Sequence, residues 1–226
     1  TYADYLYLPP RHPIFKAPDS IPDEVLAPAN CATGTVIHGL ISAGARPGQA
    51  VVIQGAGGLG LMATAAAKDM GAHQIIILDR LENRMALAKE FWATHTINIE
   101  AFPTTEARVG RVRELTRGRG ADIVMELVGQ AELLVEGVAM LGHGGTFVEI
   151  GDIVPGRTVE IDPSSILRGK RIIGSLMYPA RLLPVILDFL ERNQHKLPFH
   201  KIISHKFKLD DINQAFHQAE WKANQT

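Results

Sequence analysis

The chain has 226 residues, 46% of them hydrophobic and 21% charged, a balance suited to one large α/β domain or to a domain with an appendage. Its 23 Lys and Arg against 24 Asp and Glu leave a net charge of −1, without the basic patch that nucleic acid or an acidic membrane surface would require. A single cysteine, Cys31, excludes an internal disulfide and a four-cysteine zinc site, so a reducing, cytoplasmic setting is expected. No apolar run approaching about 18 residues is evident, and the opening "TYADYLYLPP" has neither a basic leader nor an apolar signal core, so no membrane partner is expected. The abrupt first residue suggests a missing beginning.

Residues 1 to 30, rich in Pro and Tyr, do not fit an alternating pattern and read as the tail of another domain. From residue 31, "CATGTVIHGL" is helix-like. After the turn signal "RPGQ", the apolar run "AVVIQ" (50 to 54) predicts a strand covered on both faces. Leu59, Met62, Ala63, Ala66 and Met70 recur at helical spacing, with Gly71 as the carboxyl cap. "QIIIL" (74 to 78) is the next strand, "ENRMALAKEF" the next helix and "HTINI" a third strand. The alternation repeats with "ADIVMELV" (121 to 128), a helix over about 131 to 141, "GTFVEI" (145 to 150) and "KRIIGSL" (170 to 176). Six strands separated by helices predict an α/β fold with a doubly wound (Rossmann) parallel six-stranded sheet. In "ARLLPVILDFLERN", Leu182, Ile186, Phe189 and Leu190 share one face, and Pro184 falls early enough to be tolerated. The organisation is therefore a tail at 1–30, a dinucleotide-binding domain at 31–198 and a segment at 199–226 returning towards the other domain.

Between the first strand and its helix, Gly55, Gly57 and Gly60 satisfy GxGxxG, and Asp79 lies 19 residues beyond Gly60 at the end of the next strand. In this motif the first glycine allows a tight turn, the second lets a pyrophosphate approach the backbone, and the third lets helix and strand pack closely. Asp79 can accept hydrogen bonds from the adenosine ribose hydroxyls, and its charge would repel a 2′-phosphate, which favours NAD over NADP. Arg80 and Arg84 oppose this, since either could neutralise that phosphate; Arg84 reads equally as a ribose-edge contact or as a solvated helical charge. The arginines at 108, 111, 113, 117 and 119 surround Val109, Val112 and Leu115 at buried spacing and are expected to form a solvated helix face and its loop.

Chemistry alone leaves Cys31 open between a small buried hydrophobe and a metal ligand. "CATGTVIHGL", "ARPGQAVVIQGAGGLGLMATAAAKDMGA" and "IIILDRLENRMALAKEFWATHTIN" closely resemble the zinc-dependent alcohol dehydrogenases of the medium-chain dehydrogenase/reductase superfamily. "GADIVMELVG", "LGHGGTFVEIG" and "FKLDDINQAF" continue the likeness, the last resembling a late strand and helix. The resemblance implies that Cys31 is one catalytic zinc ligand and that Thr35 lies beside the nicotinamide. It places Gly55, Gly57, Gly58, Leu59 and Gly60 in the pyrophosphate loop, Asp79 at the ribose, and Arg84 near the adenosine. Val128 and Gly129 match the end of the fourth strand beside the cofactor, and Ile150 and Gly151 the fifth-strand end, although ordinary strand-end packing accounts for these four equally well.

The departures are informative. The family's β-rich GroES-like catalytic domain, with a second cysteine, a His-Glu pair and the proton relay, is represented only by remnants at the ends. His12, His38, His73, His95 and His143 show no pairing with acids at ligand spacing, and the catalytic relay residues fall outside this chain. The implied enzyme is an NAD-dependent zinc alcohol dehydrogenase, with zinc bound in the complete protein, hydride passing between a small alcohol or ketone and nicotinamide, and this chain inactive alone. A homodimer or homotetramer joined along the edge strand "KRIIGSL" is within the implication. The alternatives are a zinc-free NADPH quinone or enone reductase of the same superfamily and a non-catalytic NAD-binding module.

Overall fold

The computed structural model describes residues 3 to 151 and 155 to 219. Among them, six parallel strands form one sheet: β1 (Ala50–Gln54), β2 (Gln74–Asp79), β3 (His95–Asn98), β4 (Ala121–Glu126), β5 (Leu141–Glu149) and β6 (Arg171–Gly174). Their order is β3-β2-β1-β4-β5-β6. The chain runs outward from β1 to β3 and returns beside β1 as β4, which opens a crevice at the carboxyl ends of β1 and β4. The helices are α1 (Asp23–Leu26), α2 (Gly34–Ala43), α3 (Gly58–Asp69), α4 (Glu82–Glu90), α5 (Thr105–Leu115), α6 (Glu132–Met140), α7 (Leu183–Asn193) and α8 (Ile212–Ala219).

Every residue of β1 is buried because both faces of the sheet are covered. Val51, Ile53, Ile75 and Ile77 face a core completed by Leu40 of α2, Met62, Ala63 and Ala66 of α3, and Ile186 and Phe189 of α7. Val52, Ile76, Val124 and Phe147 face the opposite core with Val112 of α5 and Val138 and Met140 of α6. Each large aliphatic or aromatic side chain so buried contributes roughly 2 kcal/mol. The alanines of α3 carry little bulk, so its axis can lie close to the strands.

Several expectations need correction. The fourth strand stops at Glu126 rather than 128, because the Glu126 carboxylate accepts from the backbone N–H groups of Val128 (2.7 Å) and Gly129 (2.8 Å) and takes those donors out of the sheet. The fifth starts at Leu141 rather than 145 and pairs there with Ala121, ahead of a register shift. The start of "ARLLPVILDFLERN" is a 3-10 turn, Ala180–Leu182, and the α-helix begins beside Pro184, which has no N–H to donate. The late strand that the resemblance implies ahead of α8 is absent among the described residues; residues 203 to 208 are irregular. Residues Asp23–Ala43 form 21 residues of nearly continuous helix, long and apolar enough to suit a membrane, contrary to expectation, but half of that stretch is buried against the rest of the chain, as in a core helix.

Both flanks of the sheet domain join its core. Ile21, Val25 and Ala29 are buried in the same cluster as α2 and α3. Phe199 packs edge-on against Phe91 and Phe189, with ring centroids 5.7 and 6.4 Å apart.

Candidate functional site

The turn from β1 into α3 has the geometry its glycines anticipate. Gly55 sits at φ +100°, which disfavours any side chain, and its N–H donates to the Leu78 carbonyl at 2.8 Å. A Cβ on Gly60 would overlap the Gly55 carbonyl, so the first turn of α3 rests directly on the turn. Gly57, by contrast, has an ordinary extended backbone and nothing within 4 Å of where a Cβ would stand. It has no side-chain cap bond, so the amino end of α3, formed by Gly58, Leu59 and Gly60, presents its N–H groups to whatever fills that opening.

Asp79 ends β2 and is tied to this loop. One carboxylate oxygen accepts from Ala56 N–H at 2.7 Å and the other from Leu81 N–H at 2.9 Å. The structure brings Gly55, Gly57, Asp79, Arg80, Arg84 and Val128 to the wall of one cleft of about 480 Å³. Gly129 follows Val128 at φ +86°, held by the Glu126 carboxylate. Gly151 N–H donates to the Glu126 carbonyl at 3.1 Å, and a side chain there would collide with the Glu126 carboxylate and crowd Gly129 N, at 2.6 Å. Ile150 is buried between β5 and α2, where it abuts Gly39.

Thr35 and Cys31 lie apart from that cleft lining. Thr35 is buried in the first turn of α2, while Cys31 is exposed on the π-helical turn Ala29–Thr33 that leads into it. Tyr178 approaches from beyond β6: its hydroxyl reaches Asn30, and its pKa is raised by burial and, secondarily, by Cys31. His38 bonds the Met177 carbonyl (2.9 Å) and Ser175 Oγ (3.2 Å) rather than an acid.

Four polar residues that the sequence reading did not place here also line the cleft: Gln54, Arg108, Gln130 and Glu136. Arg108 does not belong to a solvated face: its Nε donates to Glu136 at 2.8 Å, its Nη2 also meets that carboxylate, and the two side chains are only 15% and 3% exposed. Arg113 also turns inward, towards the carbonyls of Ala139 and Leu141. The available signal for Gln54 was a lone polar residue closing the apolar run "AVVIQ" immediately before the glycines.

The site's chemistry can be weighed against the groups that the resemblance implies. The opening at Gly57 and the carboxylate of Asp79 fit a dinucleotide. A metal ion is not accommodated by this chain on its own: among the described residues no three or more His, Cys, Asp or Glu side chains converge, and Cys31 is a single donor.

Comparisons with known proteins converge on one family. Residues 58–192 match the family model described as zinc-binding dehydrogenase. L-threonine 3-dehydrogenase of Aeromonas hydrophila subsp. hydrophila is 31% identical over 95% of this chain and 60% of its own length. The 5-exo-hydroxycamphor dehydrogenase of Pseudomonas putida is likewise 31% identical, over 95% of this chain and 60% of its own length. Among solved structures, an alcohol dehydrogenase of Thermotoga maritima superposes with a TM-score of 0.86 at 29% identity, covering 92% of this chain and 57% of that one. A putative zinc-binding dehydrogenase from Sinorhizobium meliloti, bound to NADP, gives 0.80 at 29% identity, covering 89% and 57%. The chain thus spans about 60% of the length of the curated relatives it matches. It belongs to the zinc-binding dehydrogenase family of medium-chain alcohol dehydrogenases, and it comprises the family's cofactor-binding domain.

Proposed function

We propose that this chain is the NAD-binding part of a zinc-dependent alcohol dehydrogenase acting on a small alcohol or its ketone. The observation that carries the reading is Asp79, a carboxylate fixed by two backbone donors at the edge of the cleft beside the glycine turn. When bound, a nicotinamide dinucleotide supplies the hydride acceptor or donor. The chain's own residues bind and orient it. The opening at Gly57 admits the pyrophosphate to the amino end of α3, where N–H groups and the helix dipole favour negative charge. Asp79 accepts from the ribose hydroxyls with its remaining lone pairs and repels a 2′-phosphate.

Cys31 is assigned as one metal ligand in the longer protein, with further ligands drawn from the length of the relatives that this chain does not span. Its exposure leaves the thiol accessible to them. No chemical step follows from this chain's residues alone.

NADP is the second reading. Arg80 and Arg84 line the same cleft, and the Sinorhizobium meliloti relative was bound to NADP. Titration calorimetry with both dinucleotides separates the two. The expected result is NAD bound more tightly by at least about 1 kcal/mol, from like-charge repulsion at Asp79. Equal affinities or tighter NADP binding would overturn the NAD assignment. For Cys31, the full-length protein should hold about one zinc at this site and lose it in Cys31→Ala; a zinc-replete, active variant would remove Cys31 from the site and favour a zinc-free reductase.

A further inference from the structure

Glu126 ends β4 and is fully buried. Its Oε1 accepts from the N–H groups of Val128 at 2.7 Å and Gly129 at 2.8 Å, while Oε2 is buried with no hydrogen-bond partner among the described residues. A carboxylate kept in the interior with one oxygen unused costs stability, so packing by itself is a poor reason for an acid at this place. The consequence lies in the turn that the other oxygen organises. Leu127 N–H still donates to the Gln54 carbonyl of β1 at 3.1 Å, and Val128 is the first residue to leave the sheet.

Other contacts fix the same turn. Gly129 bends at φ +86°, an angle that disfavours a side chain. From outside, Arg157 Nη1 donates to the Gly129 carbonyl at 3.1 Å. From behind, Gly151 donates its N–H to the Glu126 carbonyl at 3.1 Å and lies so near Oε2 that a Cβ there would collide with it.

The Val128 side chain is thereby set in the wall of the cleft, over the glycine turn: a Cβ on Gly55 would stand 2.8 Å from Val128 Cγ2. It is 48% exposed, an apolar surface that a ligand in the cleft would cover. We propose that Glu126 and Arg157 are positioning residues for Val128, holding its side chain where it packs against the dinucleotide. The inference rests on the reading given under Proposed function, which puts a dinucleotide in this cleft. Glu126 itself touches no ligand; its effect passes through the turn.

The test is titration calorimetry of the chain with NAD, with circular dichroism on each variant. Val128→Ala should weaken binding about fivefold, the effect of two half-exposed methyl groups that the ligand no longer covers. Glu126→Met has no acceptor for the two N–H groups and should lose about as much, whereas Glu126→Gln keeps one and should stay within about twofold of wild type. Arg157→Met replaces an exposed side chain, so the fold should be kept, and binding should weaken about threefold. In a Val128→Ala background, Glu126→Met and Arg157→Met should each add less than about a 1.5-fold change. Losses that multiply in full would mean that neither residue acts through Val128 and would overturn the proposal; so would wild-type affinity in a folded Glu126→Met chain. If Glu126→Met does not fold, Arg157→Met with and without Val128→Ala decides by the same comparison. Wild-type binding of NAD that none of these variants alters leaves the dinucleotide reading standing and removes only this inference; no binding by the wild type removes both.

Discussion

The Tyr178 hydroxyl lies 2.7 Å from Asn30 Oδ1 and 2.8 Å from the Asn30 carbonyl, and its ring fills the space that a side chain on Gly34 would need. The segment after β6 is thereby clamped onto the π-helical turn that carries Cys31 and onto the start of α2. Alanine is the better helix former by about 1 kcal/mol, yet Gly34→Ala should destabilise the chain by about 1–3 kcal/mol because overpacking against an aromatic ring outweighs propensity. Urea unfolding measures the change. In a Tyr178→Ala background the same substitution should become neutral or stabilising, and an unchanged cost there would locate the strain elsewhere.

Two glycines of one motif should behave oppositely. Gly57→Val meets no atom within 4 Å and needs no unusual backbone angle, so stability should change by less than about 1 kcal/mol while dinucleotide binding is lost. Gly60→Ala drives a methyl group into the Gly55 carbonyl and should cost several kcal/mol, more than about 3, with binding lost through misfolding. Circular dichroism and calorimetry on both variants distinguish the two modes. Equal damage to the fold would contradict the open space seen at Gly57.

Arg108→Met leaves Glu136 buried at 3% exposure without its cation. Removing one partner from such a pair is expected to cost about 3–5 kcal/mol. Glu136→Met alone should also be costly, since Arg108 is largely buried. The double replacement should be milder than the sum of the two, since no unpaired buried charge remains; a double-mutant cycle on unfolding free energies gives the coupling. A strictly additive result would mean that the two side chains act independently.

Asp69, the last residue of α3, joins that helix to α7. It accepts from Arg192 Nη2 at 2.6 Å, Arg192 Nε at 3.1 Å and Asn193 Nδ2 at 3.0 Å. Burial alone would raise its pKa, but the bonds from Arg192 and Asn193 and the arginine charge outweigh it and hold the carboxyl below its ordinary value. A folded pKa below the unfolded one means that the bridge stabilises fully above the unfolded value, about 3.9, and is lost as pH falls through the folded value. Wild type should exceed Asp69→Asn by about 1 kcal/mol near neutral pH, a modest figure because half of Arg192 is open to solvent. That margin should stay flat down to about pH 5 and shrink below about pH 4. A margin independent of pH would assign the effect to packing.

The sequence alone determined the α/β alternation, the glycine turn between β1 and α3, and Asp79 as the acid at the end of β2. These are local features: period, spacing and backbone freedom act within a few residues or one strand–helix–strand unit. Tertiary structure decided the end of β4, because the Glu126 carboxylate that captures Val128 and Gly129 also meets Gly151, which follows β5. It likewise decided the fate of Arg108. Helical spacing placed that residue beside the buried Val109 and Val112 positions on what read as a solvated face, but only the approach of α6 brings Glu136 within reach, 28 residues away in sequence. Gln54 shows the same division. Its place before the glycines is plain in the sequence, but its amide nitrogen found Leu133 and Glu136 only when β1 and α6 met, since a hydrogen-bond partner so distant in sequence leaves no periodic or compositional trace.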